Sequence, residues 1–422
     1  MEKQIESDKE ESLPSKPKPF FLILILGTLT ALSPFSIDMY LPAFSEIAKD
    51  LDTPAAEVAL SLSSYFIGLA FGQLLYGPLL DRFGRKKPLY VGLFVYILAS
   101  FGCMFSRSID ELVIFRLIQA IGGCVANVAS VAMVRDFFRV KESSKVFSLL
   151  ILVLGVSPLL APTVGGYIST NFGWHAIFII LSAIAFLMLL VSVFYLPESH
   201  KADPSVSLKP IHIFHQYGIV FRNPQFYSYT LAGAVAFSGL FVYISGSPII
   251  FMEIFKVEPQ KFSYIFALLS VGFIGASQCN IFLVKKFKNE QILKTALLGQ
   301  VAVTLLFLIG TWNGWFGLIG TTLFFFSLLA LVGLLNPNAA ALALAPFSKN
   351  AGTASALMGS LQMGIGAFAS SCVGLFSAHT SLPLSIILFA SASFAFLILM
   401  IGKRRIPEEL PVHEEITPAI SV

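Results

Sequence analysis

The chain has 422 residues, of which 56% are hydrophobic and only 12% charged, with a net charge of +4 and a mean hydropathy of +0.81. Soluble domains carry about a quarter charged residues, so this composition excludes a water-soluble fold and makes lipid the main solvent. Basic residues cluster at the ends of apolar runs instead of forming a continuous basic domain, which argues against nucleic acid as a partner.

A bilayer core of about 30 Å takes about twenty apolar residues per helix. Residues 1–19 are rich in Lys, Glu, Ser and Pro and are expected to be a disordered cytoplasmic tail. Residues 20–196 form a first set of six spans, expected near 20–41, 57–79, 88–106, 110–134, 144–167 and 173–196. The first run is too long for a signal peptide, lacks a small-residue cleavage motif and holds an acid and two prolines, so it is expected to be retained. Residues 197–226 are polar and proline-bearing and are expected to link two halves in the cytoplasm. Within them Ile211, Phe214, Tyr217, Ile219 and Phe221 fit one side of an interfacial helix, a solvated tether being the alternative. Residues 227–402 hold six more spans, near 227–252, 260–284, 291–312, 315–343, 351–377 and 381–402, and 403–422 form a cytoplasmic tail. The runs are long and continuously apolar, which favours helices over barrel strands.

Of the 28 Lys and Arg, 23 fall in the tails and in the connections after even-numbered spans, against Lys49, Arg107, Lys256 and Lys261 on the other side. Positive charge is retained on the cytoplasmic side, so both termini are expected there, in a bacterial inner membrane. Cys103, Cys124, Cys279 and Cys372 fall singly in apolar segments without metal-ligand spacing and are expected to be buried thiols. The six histidines are scattered; no cluster suggests an enzyme, a cofactor or a metal site.

The chemistry-bearing residues follow in chain order. Asp38 stands among apolar residues near the end of the first span, followed by Tyr40. A carboxylate inside a span costs about 2.5–3.5 kcal/mol and is functional by default, so Asp38 is the candidate for proton coupling; a hydrated place at the outer mouth is the alternative. Between the second and third spans lies Gly77-Pro78-Leu79-Leu80-Asp81-Arg82-Phe83-Gly84-Arg85-Lys86-Lys87. Here the glycines permit a tight turn and close approach, and Asp81 is expected to end the helix. In the fourth span, Arg116 and Gln119 belong to Arg116-Leu117-Ile118-Gln119-Ala120-Ile121-Gly122. Arginine keeps its charge, so Arg116 is expected to face a central cavity and meet a carboxylate, a carbonyl or the substrate, with outward snorkelling as the alternative. The fifth span carries Gly155, Pro158, Pro162, Gly165 and Gly166, a set suited to a kinked, closely packed hinge. In the second half, Phe237, Phe241, Asn336 and Gln362 offer aromatic and amide groups for a mostly apolar ligand; with Asp38, Tyr40, Arg116 and Gln119 they form the expected substrate-binding set, and Arg116 is expected to share proton coupling with Asp38.

These segments, with the Asn336-Pro337-Asn338-Ala339 and Gly352-Thr353-Ala354-Ser355-Ala356-Leu357 runs, resemble the Bcr/CflA branch of drug:proton antiporters in the major facilitator superfamily. The resemblance implies an all-α membrane protein with twelve transmembrane helices in two six-helix bundles, and a substrate site near the midplane between them. It also implies proton-driven efflux of small amphipathic molecules by a monomer, without cofactors, with Gly77, Asp81, Arg82, Gly84 and Arg85 as a latch that holds the inner side shut. A same-fold carrier of a metabolite such as an amino acid or siderophore is the alternative. The chain departs from the family pattern at Ala120 and Ala161, where glycine is usual, and at Thr30, where some relatives carry a second acid.

Overall fold

A computed structural model describes residues 19–138, 140–347, 351–374 and 380–406, with the side chains of 19, 140–145, 147–149, 151–152, 154–155, 210, 212 and 351 left aside. Residues 1–18 and 407–422 of the two tails, Arg139, Lys349 and His379, and the end of the eleventh expected span lie outside the described residues.

The described residues form helices joined by turns and loops, with no strand among them. The first half comprises α1 (Pro19–Asp38), α2 (Phe44–Asp50), α3 (Ala55–Phe83), α4 (Lys86–Met104), α5 (Ile109–Phe137), α6 (Val140–Phe172) and α7 (His175–Tyr195). A short helix, α8 (Pro210–Phe221), precedes the second half: α9 (Pro224–Pro248), α10 (Pro259–Leu283), α11 (Asn289–Trp312), α12 (Leu318–Leu344), α13 (Ala351–Gly374) and α14 (Leu382–Lys403). Eleven segments are long and apolar enough to cross a membrane, with α1 and α2 counting as one, Phe20–Asp50. The 33-residue α6 completes twelve.

The ends follow local chemistry. Ser108 caps α5 by accepting from the Glu111 amide, while the Glu111 carboxylate accepts from the Arg107 amide at 2.8 Å, satisfying amides that no helical carbonyl can reach. Asn223 caps α9 in front of Pro224, where a missing N–H costs nothing.

Within the first half, glycines set the spacing of α3, α4 and α5. A Cβ on Gly68 would stand 2.6 Å from the Ala120 Cβ, and one on Gly122 would stand 2.6 Å from the Tyr96 amide nitrogen. In lipid, where helix association rests on close packing, this explains why Ala120 is tolerated: Gly68 opposite it supplies the missing space. Cys103 and Cys124 are buried, but Cys279 is exposed and Cys372 half-buried. Cys279 departs from the expected burial because it lies on a surface of α10 that also presents Phe282, where lipid replaces protein as the apolar neighbour.

The halves meet chiefly through α3 with α13 and α6 with α10. We call the end bearing Arg82, Arg85 and Lys86 the basic face. At the opposite end the junction is tight: Ser63 Oγ and Ser370 Oγ lie 2.7 Å apart, Ser263 Oγ donates to the Pro162 carbonyl at 2.8 Å, and Ser45 Oγ donates to Glu253 Oε1 at 2.6 Å. Ser245 also bonds Ser370. Phe66 and Phe241 meet edge to face, 4.5 Å between centroids.

Replacing Ser63 and Ser370 together, Ser63→Cys with Ser370→Cys, is expected to give a disulfide on mild oxidation. With a protease site placed in the linker, the cut halves should then stay joined on a non-reducing gel, and separate in either single variant.

Candidate functional site

A buried polar cluster surrounds Arg116. Its side chain is fully buried on α5, where it donates through Nη1 to Gln119 Oε1 at 2.7 Å and through Nη2 to the Ser36 carbonyl at 3.1 Å. The guanidinium carbon lies 4.2 Å from the Tyr65 ring centroid, 4.6 Å from Tyr40 and 5.9 Å from Phe178, so aromatic faces supply what water cannot. Around it, Gln119 Nε2 donates to Ser100 Oγ at 2.8 Å, Ser36 Oγ and Tyr96 Oη lie 2.6 Å apart, and Tyr40 Oη and Ser61 Oγ 2.7 Å apart. The expectation that Arg116 faces a central cavity is corrected: Arg116, Gln119 and Tyr40 lie inside the first bundle. Of the partners expected for it, the carbonyl is the one present.

Asp38 is the last residue of α1 and is 5% exposed. Immediately after it the backbone at Met39 packs on α6, where a Cβ on Gly165 would come within 2.1 Å of the Met39 oxygen. Gly166 faces Ser263 of the second half. The expected hinge residues Pro162 and Gly165 are therefore at the seam that closes the end opposite the basic face, with Pro158 further along the same helix. Gly155 lies in the part of α6 whose side chains are left aside.

The Gly77–Arg85 motif is less of a loop than expected. Asp81 does not end the helix; α3 continues through Phe83, and the turn is made by Gly84 alone, at φ +81°, a conformation that glycine adopts without strain. Nothing approaches within 4 Å of the place a Gly77 Cβ would take, so no close contact explains that glycine here. Arg85 pairs with Asp81 at 2.6 Å and Asp136 at 2.9 Å. Burial works against the Arg85 charge, but the two carboxylates outweigh it and raise its basicity above the ordinary value. Glu198 accepts from the Arg85 and Lys86 amides at 2.8 and 3.1 Å, an anion at a helix start. Arg82 donates to the linker carbonyls of Pro204 and Val206.

Next to this motif a cavity of about 700 Å³ opens at the basic face. Its walls include Gln73, Asp81 and Arg85, then Asn127, Arg135 and Asp136 of α5, Tyr217 of α8 and Thr353 and Ser355 of α13. The motif was expected to hold this side shut, yet its ion pairs are intact beside an open cavity. The reason is connectivity: the partners of Asp81, Arg82 and Arg85 belong to the first half or the linker, so the two halves can part without breaking them.

None of the residues expected to bind substrate lines this cavity. Phe241 packs in the seam and Phe237 against it, 5.6 Å between centroids, while Gln362 Nε2 donates to Asn336 Oδ1 at 2.7 Å between α13 and α12. Sequence reasoning missed Asp136, Glu198 and the Ser63, Ser245 and Ser370 group. An acid at the basic end of the fourth span was a usable signal for Asp136; isolated serines in apolar spans carried none.

A family model, the Major Facilitator Superfamily, matches residues 26–371. The chain belongs to this superfamily. It is 35% identical over 377 residues to the bicyclomycin resistance protein homolog of Haemophilus influenzae, covering 86% of this chain and 92% of that one. It is 28% identical to multidrug resistance protein D of Escherichia coli, covering 83% and 87%. These relatives agree with the resemblance to the Bcr/CflA type. Among solved structures, a peptide transporter superposes with a TM-score of 0.72 at 16% identity, covering 93% of this chain and 96% of that one. A D-xylose–proton symporter superposes at 0.68 and 16%, covering 90% and 97%. Likeness at that identity establishes the fold. The chain is thus a transporter of the major facilitator superfamily, a membrane carrier with no catalytic family indicated.

Truncating Arg116 to Ala empties a fully buried site and leaves Gln119 Oε1 without its donor, which is expected to cost about 3 kcal/mol. Thermal unfolding in detergent checks it; Arg116→Lys, which keeps a cation and most of the volume, should lose less.

Proposed function

We propose that this major facilitator exports small amphipathic molecules in exchange for protons, by alternating access. One observation carries the reading. Among the described residues Asp38 is the buried carboxylate, and it lies towards the sealed end while a cavity stands open at the basic face. A buried acid next to a seam that must open is placed to take a proton from one side and release it to the other. The relatives' names, bicyclomycin resistance and multidrug resistance, support export of such molecules. The distribution of Lys and Arg supports a cytoplasmic basic face, both termini inside and insertion in the bacterial inner membrane. The structure then corresponds to an inward-facing carrier.

In this reading Phe237, Phe241, Asn336 and Gln362 contact the cargo as the seam loosens. Arg116, Tyr40 and Gln119 act one step removed, by fixing the end of α1 and hence Asp38. Pro158, Pro162 and Gly165 let α6 bend against α10. Each proton moved inward supplies about 2.3 kcal/mol per 100 mV and about 1.4 kcal/mol per pH unit, enough for a monomer to hold a neutral molecule well above its internal concentration outside.

Everted membrane vesicles with an acidified lumen provide the test. Adding a panel of antibiotics and metabolites should release luminal protons when a substrate is present, and Asp38→Asn should abolish that release while the protein remains folded. Substrate movement that leaves the proton gradient untouched would sink the antiport reading; normal coupling in Asp38→Asn would sink the role of Asp38 alone.

A further inference from the structure

Helix α8 presents the wrong face to water. Its twelve residues contain no Asp, Glu, Lys or Arg, and the polar and apolar sides do not sort as they would on a cytoplasmic helix. Ile211 is 73% exposed and Phe214 67%, with Ile219 and Phe221 also exposed, while Tyr217 and Val220 are turned inward. Ile211, Phe214 and Phe221, at spacings of three and seven, share one stripe of the helix. A loop helix in water would be expected to bury that stripe, because exposed apolar patches of this kind mark an interaction surface.

The depth of α8 identifies the partner. Tyr217 Oη donates to the Leu74 carbonyl at 3.2 Å, and Leu74 lies nine residues before the end of α3 at Phe83. At about 1.5 Å per residue, that carbonyl is about 14 Å up the helix from its basic end. The 29 residues of α3 span about 43 Å, so around a hydrocarbon core of about 30 Å each end overhangs by about 7 Å. The Leu74 carbonyl therefore lies below the hydrocarbon boundary, and α8 is one tyrosine side chain away from it. The helix is flanked by Lys209 and Arg222, both exposed, one at each end of the apolar stripe. The carboxylates nearest in sequence are already used: Glu198 holds the start of α4 and Asp203 accepts from Ser205.

We infer that α8 is seated in the headgroup layer of the bilayer at the basic face, with Ile211, Phe214 and Phe221 in the lipid and Lys209 and Arg222 on anionic headgroups. Its inner side, through Ile213, Gln216 and Tyr217, lines the cavity. The helix is thus a membrane-borne wall of the cavity, bridging the α3–α13 side of the junction. Burial of the stripe supplies attachment, and the flanking cations favour a negatively charged surface.

The test is spin-label accessibility on the full chain in nanodiscs, with Cys279→Ser and Cys372→Ser removing the accessible thiols. Labels at Ile211→Cys and Phe214→Cys should collide more often with oxygen than with a water-soluble nickel chelate, and a label at Lys201→Cys, in the linker, should do the reverse. Replacing anionic by zwitterionic lipid should shift the α8 labels towards water. Preference for the nickel chelate at both α8 positions in anionic nanodiscs overturns the inference, as does strong spin–spin broadening between two copies, which would make the stripe a contact between carriers. Because the labelled sites are exposed, elution as an intact, monodisperse protein separates a misfolded variant from a true water-facing result.

Discussion

A guanidinium cannot shed its proton, and inside a bilayer no water is available to solvate it. Arg116 meets this constraint without a carboxylate, through a carbonyl of α1, an amide on its own helix and three aromatic rings. Those partners come from α1, α3, α5, α7 and the turn after α1, so satisfying one charge fixes how five segments of the first bundle meet. The carbonyl used belongs to Ser36, two residues before Asp38. Any rotation of the end of α1 disturbs the arginine's bonds, and the position of the buried acid is thereby tied to the packing of the whole bundle.

The second half has no comparable centre. Among the described residues its one ion pair between helices, Lys403 with Glu290, is exposed at the basic face, the inner contacts include amide pairs, Asn338 with Asn280 and Gln362 with Asn336, and the interior holds stacked phenylalanines such as Phe307 and Phe324, 3.7 Å apart. A bundle organised around a buried charge therefore faces one whose interior is aromatic. Such a pairing would suit the exchange proposed above, with the titrating group on one side and cargo contacts on the other, since ligand pockets combine aromatic walls with a few polar groups.

Much of the fold was legible because lipid imposes a simple ruler: about twenty apolar residues per span, cations at one face. The ruler misjudged ends. It stopped the second span near residue 79, whereas α3 continues through Asp81 and Arg82, because polar residues beyond the hydrocarbon can stay helical until a residue such as Gly84 reverses the chain. The site was less legible. Arg116 and Gln119 were recognised as unusual, but a one-dimensional pattern cannot say whether a buried polar residue points at a cavity or at its own bundle. The same limit applies to Tyr217, placed by its spacing with Ile211 and Phe214 but turned inward, and to the seam serines, which acquire meaning only when two halves distant in sequence are brought together.

The seam itself has an energetic consequence. Its polar links across the halves are a serine pair, a serine on a proline carbonyl, and a serine on Glu253, with no direct Lys or Arg pairing between halves among the described contacts. Interhelical hydrogen bonds in membranes average only about 0.6 kcal/mol, so a few of them add up to a small multiple of thermal energy. A closure built this way is a bias and not a lock. Under the exchange proposed above, both accessible states would then be populated in the absence of cargo, and the direction of net movement would be left to the gradients across the membrane.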